Sequence, residues 1–147
     1  MVDTEDLKKV FEDAINETSD SNVDYLTSGK IKEHKKLIFD EMNLTKEERI
    51  KASKSLEFYR YISDLNDFKY GMFIRWYGLK KLQKRELKLE QGGFISDIKI
   101  VANDVHIVCK TIFNHHVQIK TSENIVFQKI TDQEKVIISV VDYVNKK

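Results

Sequence analysis

The stretch Tyr70-Gly-Met-Phe-Ile-Arg-Trp-Tyr-Gly78 decides the predicted fold. Within it, Ile74 and Trp76 alternate with Arg75 and Tyr77. Successive side chains of a strand point to opposite faces, so this period of two predicts a strand with one inward face. We expect Trp76 to point into a core while Arg75 and Tyr77 stay available on the other face.

More strands are indicated after this one. Gln91–Ile100 carries the pair Gly92-Gly93, and glycines inside a strand are typical of a bulge or sharp bend. Turn signals at Asn103-Asp104, at Asn114-His115 and at residues 122–124 separate three further runs. Five short antiparallel strands over residues 68–130 predict an SH3-like or Tudor-like barrel, with an OB-like arrangement as the alternative.

Helices are predicted on both sides of these strands. Residues 1–67 read as three helices: the first has apolar residues at helical spacing between positions 7 and 15, and the third begins at the capping box Thr45 and Glu48 and runs to about Asp64. A second capping box, Thr131 and Glu134, begins a valine-rich C-terminal helix over residues 131–147 that must dock to be stable. The predicted fold class is α+β: three N-terminal helices, a five-stranded antiparallel SH3-like barrel and a C-terminal helix packed on it, as one compact unit.

Composition excludes several classes of protein. No apolar run approaches the roughly 20 residues that cross a bilayer, and residues 1–6 lack the basic and apolar regions of a secretory signal. The single cysteine, Cys109, cannot form an internal disulfide. We therefore expect an intracellular protein, in the cytoplasm or nucleus of a host, that does not bind membranes.

Charge is distributed unevenly, although the net charge is only +1. Residues 1–28 carry eight acids against two lysines, whereas residues 69–90 carry seven bases against two acids. The basic segment also contains aromatic residues, and this combination is typical of surfaces that contact phosphates and stack on bases. The residues predicted to bind a partner or nucleic acid are Arg75, Tyr77, Lys80, Lys81, Lys84 and Arg85.

Motifs for catalysis or for a metal are not indicated. His106, Cys109, His115 and His116 are close in sequence, but neighbouring positions on a strand point to opposite faces and would not converge on one ion. Glycine-rich phosphate loops, a zinc-protease motif and a nucleophile elbow do not occur in the chain. We expect no metal, no cofactor and no enzymatic activity.

Several segments together resemble a group of viral proteins. These are Tyr70–Trp76, Leu87–Gly93, Val117–Lys120 and Ile125–Glu134, and their order is similar to that in small uncharacterised proteins of large nucleocytoplasmic DNA viruses, over residues 68–147. The resemblance implies a viral protein that works in an infected cell or is packaged in a virion.

Three functions follow from these observations. The first is a non-enzymatic interaction or adaptor module that docks to a larger viral or host assembly through a protein partner. The alternative is a DNA- or RNA-binding protein that uses the basic and aromatic surface of residues 68–90. The third is a minor component of a virion.

Overall fold

The computed structural model describes residues 27–145. The predicted first helix therefore lies outside the described residues. In chain order the elements are α1 (Ser28–Glu41), α2 (Lys46–Ser55), β1 (Tyr59–Ile62), a 3-10 helix (Leu65–Asp67), β2 (Phe73–Gly78), α3 (Leu79–Gln83), β3 (Gly93–Val101), β4 (Asp104–Lys110), β5 (His116–Lys120), a second 3-10 helix (Thr121–Glu123), β6 (Asn124–Lys129) and α4 (Asp132–Asn145).

The six strands form one antiparallel sheet in the order β1-β6-β2-β3-β4-β5. The predicted five-stranded barrel is therefore wrong, because the sheet is open and has β1 and β5 at its edges. Closure would require the two edge strands, β1 and β5, to pair, and among the described residues they do not. Strand β6 follows β5 in the chain but lies between β1 and β2 in the sheet.

Strand β1 is the one strand of the described sheet that the sequence prediction missed, because the predicted third helix runs on to about Asp64. Helix α2 ends earlier, and in residues 59–62 burial alternates with a period of two. Arg60 and Ile62 are buried on one face, and the two tyrosines lie partly buried on the other. Aromatic and β-branched residues suit a pleated, half-buried surface better than a helix, and β6 offers them a ladder of hydrogen bonds.

Apolar residues are buried on both faces of the sheet. Toward α1 and α2, the ring of Phe127 lies 6.1 Å from Phe39 and 6.1 Å from Tyr77, measured between centroids. On the opposite face Trp76 is buried in a second cluster with Ile74. The inward position predicted for Trp76 is confirmed, and its neighbour Tyr77 is buried as well because helices cover the other face of β2.

Both predicted capping boxes are confirmed. At α2, Thr45 N donates to Glu48 Oε1 at 2.9 Å and Glu48 N donates to Thr45 Oγ1 at 3.2 Å. At α4, Thr131 and Glu134 make the same two bonds, each 3.1 Å long. The two boxes differ in burial, since Glu134 is 1% exposed and its Oε2 lies 2.9 Å from Nη2 of the buried Arg60, an ion pair without hydrogen-bond alignment.

Helix α4 buries fewer apolar residues than its sequence indicates. Ile137 is 1% exposed, whereas Val136 and Val144 are 61% and 59% exposed. Its C-terminal half is tied to α1, because Ser28 N donates to Asp142 Oδ1 at 3.3 Å. The predicted docking of α4 is therefore achieved by a narrow apolar contact together with the buried Glu134.

The predicted turn between β3 and β4 is also present, one residue earlier than expected. Ala102 and Asn103 have φ angles of 50° and 65°, as a two-residue hairpin requires. The irregularity of β3 lies between Ile95 and Asp97 and not at the glycine pair.

Candidate functional site

Tyr77 is not available to a partner, contrary to the prediction. It is 3% exposed, and its ring packs edge-on against Phe127. The prediction assumed one covered face of β2, but Ala52 of α2 together with Leu87 and Leu89 covers the second face. Burial raises the pKa of the Tyr77 hydroxyl, so this side chain is a neutral core residue.

Arg75 and Lys81 are both held by Glu90. Arg75 Nε donates to the Glu90 backbone oxygen at 2.9 Å, and Lys81 Nζ donates to Glu90 Oε1 at 3.0 Å. Glu90 N donates in turn to the Trp76 backbone oxygen at 2.9 Å. These two predicted cations therefore fasten the segment around Glu90 onto β2 and α3, and the charge of Lys81 is neutralised by its partner.

Three of the predicted cations remain exposed. They lie on the short helix α3 and the turn after it, where the sequence predicts a loop. Among residues 27–145, none of them makes an ion pair with a carboxylate. They are Lys80, Lys84 and Arg85.

A groove of about 620 Å³ opens beside Arg75 and Trp76. One wall is the connection between β2 and β3, and the other is the turn between β4 and β5 together with the start of β5. We call this feature the Trp76 groove. Its lining residues are Arg75, Trp76, Lys88, Leu89, Glu90, Gln91, Gly92, Thr111, Ile112, Phe113, His115 and Val117.

The turn that forms one wall holds two large apolar side chains in solvent. Thr111 N donates to the His115 backbone oxygen at 2.8 Å, and Asn114, with φ 65°, donates its N–H to the Thr111 oxygen at 3.0 Å. Ile112 and Phe113 are each 68% exposed. Because the backbone of this turn is hydrogen-bonded, the fold itself holds these two side chains in solvent.

Glycine at position 92 brings the opposite wall close to the sheet. Gly92 has φ 89°, and a Cβ there would collide with the Ile74 backbone oxygen and lie 3.0 Å from Arg75 Cγ. At Gly93 a Cβ would lie 2.8 Å from the Lys110 oxygen. These two glycines therefore allow the chain before β3 to pack closely against the backbone of Ile74 and Lys110, and this packing shapes the groove.

The surroundings of the groove are mainly basic. Arg75, Lys88 and His115 line it, and its one acid, Glu90, is paired with Lys81. Strand β5, whose residue Val117 belongs to the lining, adds exposed His116 and Lys120. A ligand of this groove therefore meets apolar walls with a positive rim.

His106 and Cys109 lie on opposite faces of β4. Within residues 27–145 no group of three or more His, Cys, Asp or Glu side chains could hold an ion. Cys109 is fully buried, and burial raises the pKa of its thiol to about 12, so it is an unreactive core residue. The side chain of His106 bonds that of Gln118, with Nδ1 2.7 Å from Nε2.

Sequence reasoning missed Ile112, Phe113 and Val117. A usable signal was present, since two large apolar residues stand beside Asn114 at a predicted turn, where polar residues are the norm. Exposed apolar residues that cluster beside a groove are typical of interaction sites.

Fold and groove together define an α+β protein whose open antiparallel sheet carries α1 and α2 on one face and a cationic, apolar groove near its β5 edge. No protein-family model, curated protein or solved structure matches the chain. In the part of the chain that the structure describes, no helix is long and apolar enough to span a membrane.

Proposed function

We propose that this protein is a non-enzymatic docking module that holds a segment of a partner protein in the Trp76 groove. The observation that carries the proposal is the exposure of Ile112 and Phe113, 68% each, on a hydrogen-bonded turn at the mouth of a groove lined by Trp76. Burying two such side chains against a partner gains roughly 1.5 to 3 kcal/mol each before the costs of association.

The charges around the groove indicate the chemistry of the partner. Among the described residues that line the groove, Arg75 and Lys88 face one acid, Glu90, and its carboxylate is already paired with Lys81. A partner segment with large apolar side chains and neighbouring carboxylates complements both properties. The resemblance of residues 68–147 to proteins of large DNA viruses would place this partner in an infected cell or in a virion.

A peptide-display selection against the full chain tests the proposal. We expect the selected peptides to be rich in apolar and acidic residues, and to lose affinity by tenfold or more, ~1.4 kcal/mol, for the double variant Ile112→Ser, Phe113→Ser. Fluorescence anisotropy with a labelled selected peptide measures the loss.

The matched control is Ile100→Ser, Val101→Ser. These residues are 69% and 46% exposed at the β3–β4 hairpin and do not line the groove, so affinity should not change. If no peptide is selected, or if both double variants bind equally well, the groove is not a docking site.

A second candidate function is supported by Lys80, Lys84 and Arg85, which stay exposed and make no ion pair with the described carboxylates. Such a cluster contacts phosphates, and the candidate is DNA or RNA binding. It is weakened by the burial of Tyr77, which removes a predicted stacking residue.

Salt dependence tests this second candidate. If the cluster binds a labelled single-stranded oligonucleotide, affinity should fall severalfold or more between about 50 and 200 mM salt, because phosphate contacts release counterions. Reversing Lys80, Lys84 and Arg85 to Glu should abolish the binding, whereas reversing the exposed Lys30, Lys32 and Lys36 of α1 should not. Lys32 and Lys36 line a different groove, which contains no residue of α3. Absence of a shift at low salt would remove nucleic acid as a partner.

A further inference from the structure

We infer that the partner segment binds in extended form, as an added strand along the open edge of β5, and that it alternates large apolar with acidic residues. This inference rests on the proposed docking function and specifies its ligand. It is argued from the hydrogen-bond pattern of the β5 edge and from the different chemistry of the two faces beside that edge.

The backbone groups of His116 and Gln118 point to the open edge. In an antiparallel pair, opposite residues alternate between those that bond each other and those whose N–H and C=O point away. Thr111 and His115 bond each other, since Thr111 N donates to the His115 oxygen. The register Cys109 to Val117 continues this pair two residues along, so the intervening His116 and Gln118 direct their backbone groups outward.

The end of the edge is already occupied. The Lys120 backbone oxygen accepts a hydrogen bond of 2.8 Å from Asn124 Nδ2. An added strand therefore has the N–H and C=O groups of two residues within reach, about four main-chain hydrogen bonds. Main-chain hydrogen bonds of this kind supply affinity when a peptide adds to a sheet edge.

On one face, the added strand would meet apolar surface. Val117 and the buried Ile119 point to the same face as Trp76, and Val117 lines the groove. Side chains of the added strand opposite these two residues would point toward the Trp76 groove and the exposed Phe113. Every second residue of the partner should therefore be large and apolar.

On the other face, the added strand would meet lysine. Lys110 is paired with His116 in the register, and Lys120 with His106, so both lysines lie on this face, each beside a histidine. Asp104 lies on it at the far end of β4, where its carboxylate accepts Ser122 Oγ at 2.7 Å. The remaining residues of the partner should be acidic, because a carboxylate opposite Lys120 forms a favourable cross-strand pair.

A second copy of this chain does not have that chemistry. Antiparallel pairing of two β5 strands about Gln118 would place Lys120 of each copy opposite His116 of the other. Such a pair brings no carboxylate to Lys120, and a lysine on an edge strand commonly prevents self-pairing.

The probe is a blocked, fluorescein-labelled peptide of about seven residues that alternates glutamate with leucine or valine. We expect it to bind the full chain and to lose affinity about tenfold or more for Gln118→Pro, which removes an outward N–H without breaking a bond to β4. The matched variant Gln118→Ala keeps the backbone donor and should bind as the unaltered protein does. Thermal melting of both variants shows that each is folded.

Methylated peptides keep the inference testable if Gln118→Pro does not fold. Methylation of the alternate peptide amides that face β5 should abolish binding, whereas methylation of the other set should not. Equal binding of the two sets, binding that is indifferent to Gln118→Pro in a folded variant, or equal binding of a scrambled peptide would overturn the inference. A dimer that Gln118→Pro dissociates would overturn it too, because the edge would then hold a second copy.

These results are separable from those of the display selection. If selected peptides depend on Ile112 and Phe113 but ignore Gln118→Pro and amide methylation, docking stands and the added strand fails. If the alternating probe binds the edge while no displayed peptide depends on the turn, the added strand stands and the groove proposal fails.

Discussion

At the scale of single residues, the packing of neighbouring backbone limits which residues can replace the glycines. Gly92 combines a φ of 89° with a position where any Cβ would strike the Ile74 oxygen. Gly71 has a similar φ of 81°, but none of residues 27–145 lies within 4 Å of the position that a Cβ would take there. Substitutions at these two positions therefore distinguish the free-energy cost of a left-handed backbone from the additional cost of a steric collision.

Substitution of each glycine by alanine measures that difference. Gly71→Ala should lower the free energy of unfolding by about 1 kcal/mol, because only the backbone conformation is penalised. Gly92→Ala should lower it by more than about 3 kcal/mol, because β2 and the following segment must separate. Urea denaturation gives both values.

A third substitution is not expected to lower the free energy of unfolding. Gly29→Ala in the first turn of α1, where no described residue lies within 4 Å of the added Cβ, should leave stability unchanged or raise it by up to ~1 kcal/mol. Equal losses for positions 71 and 92 would contradict the close approach at Gly92.

At the scale of secondary-structure elements, two capping boxes of the same sequence type perform different tasks. The box at α2 is exposed and satisfies only the first turn of its helix. The box at α4 is buried, and Glu134 also opposes the charge of Arg60, whose Nε has no hydrogen-bond partner among the described residues. Sequence patterns identified both boxes but not this difference, because Arg60 lies on the strand that was predicted as helix.

Glutamine substitution distinguishes the two. Gln also serves in a capping box, so Glu48→Gln should change the free energy of unfolding by less than ~0.5 kcal/mol. Glu134→Gln leaves a buried guanidinium without its counter-charge and should cost about 3 to 5 kcal/mol. Chemical denaturation of both variants checks this, and equal costs would mean that Arg60 is not buried beside Glu134.

At the scale of the whole molecule, the sequence predicted local structure better than assembly. Alternation identified β2, β4, β5 and β6, and capping signals identified α2 and α4, because these patterns record which side of an element meets apolar surface. Residues 59–62 carry apolar spacing that fits a helix or a strand, and only pairing with a strand some seventy residues later decides between them. The prediction that Tyr77 is available for binding was wrong for a related reason. The sequence alone does not show that helices also cover the face of β2 on which Tyr77 lies.

The position of β6 in the sheet has a consequence for how the chain reaches its native state. Its neighbours β1 and β2 are made first, yet neither can complete its hydrogen bonding until residues 124–129 arrive. During synthesis, Tyr59–Ile62 therefore has no strand to pair with until β6 has left the ribosome. Contacts this distant in sequence favour slow folding and expose the incomplete product to chaperones and to aggregation until the last strand inserts.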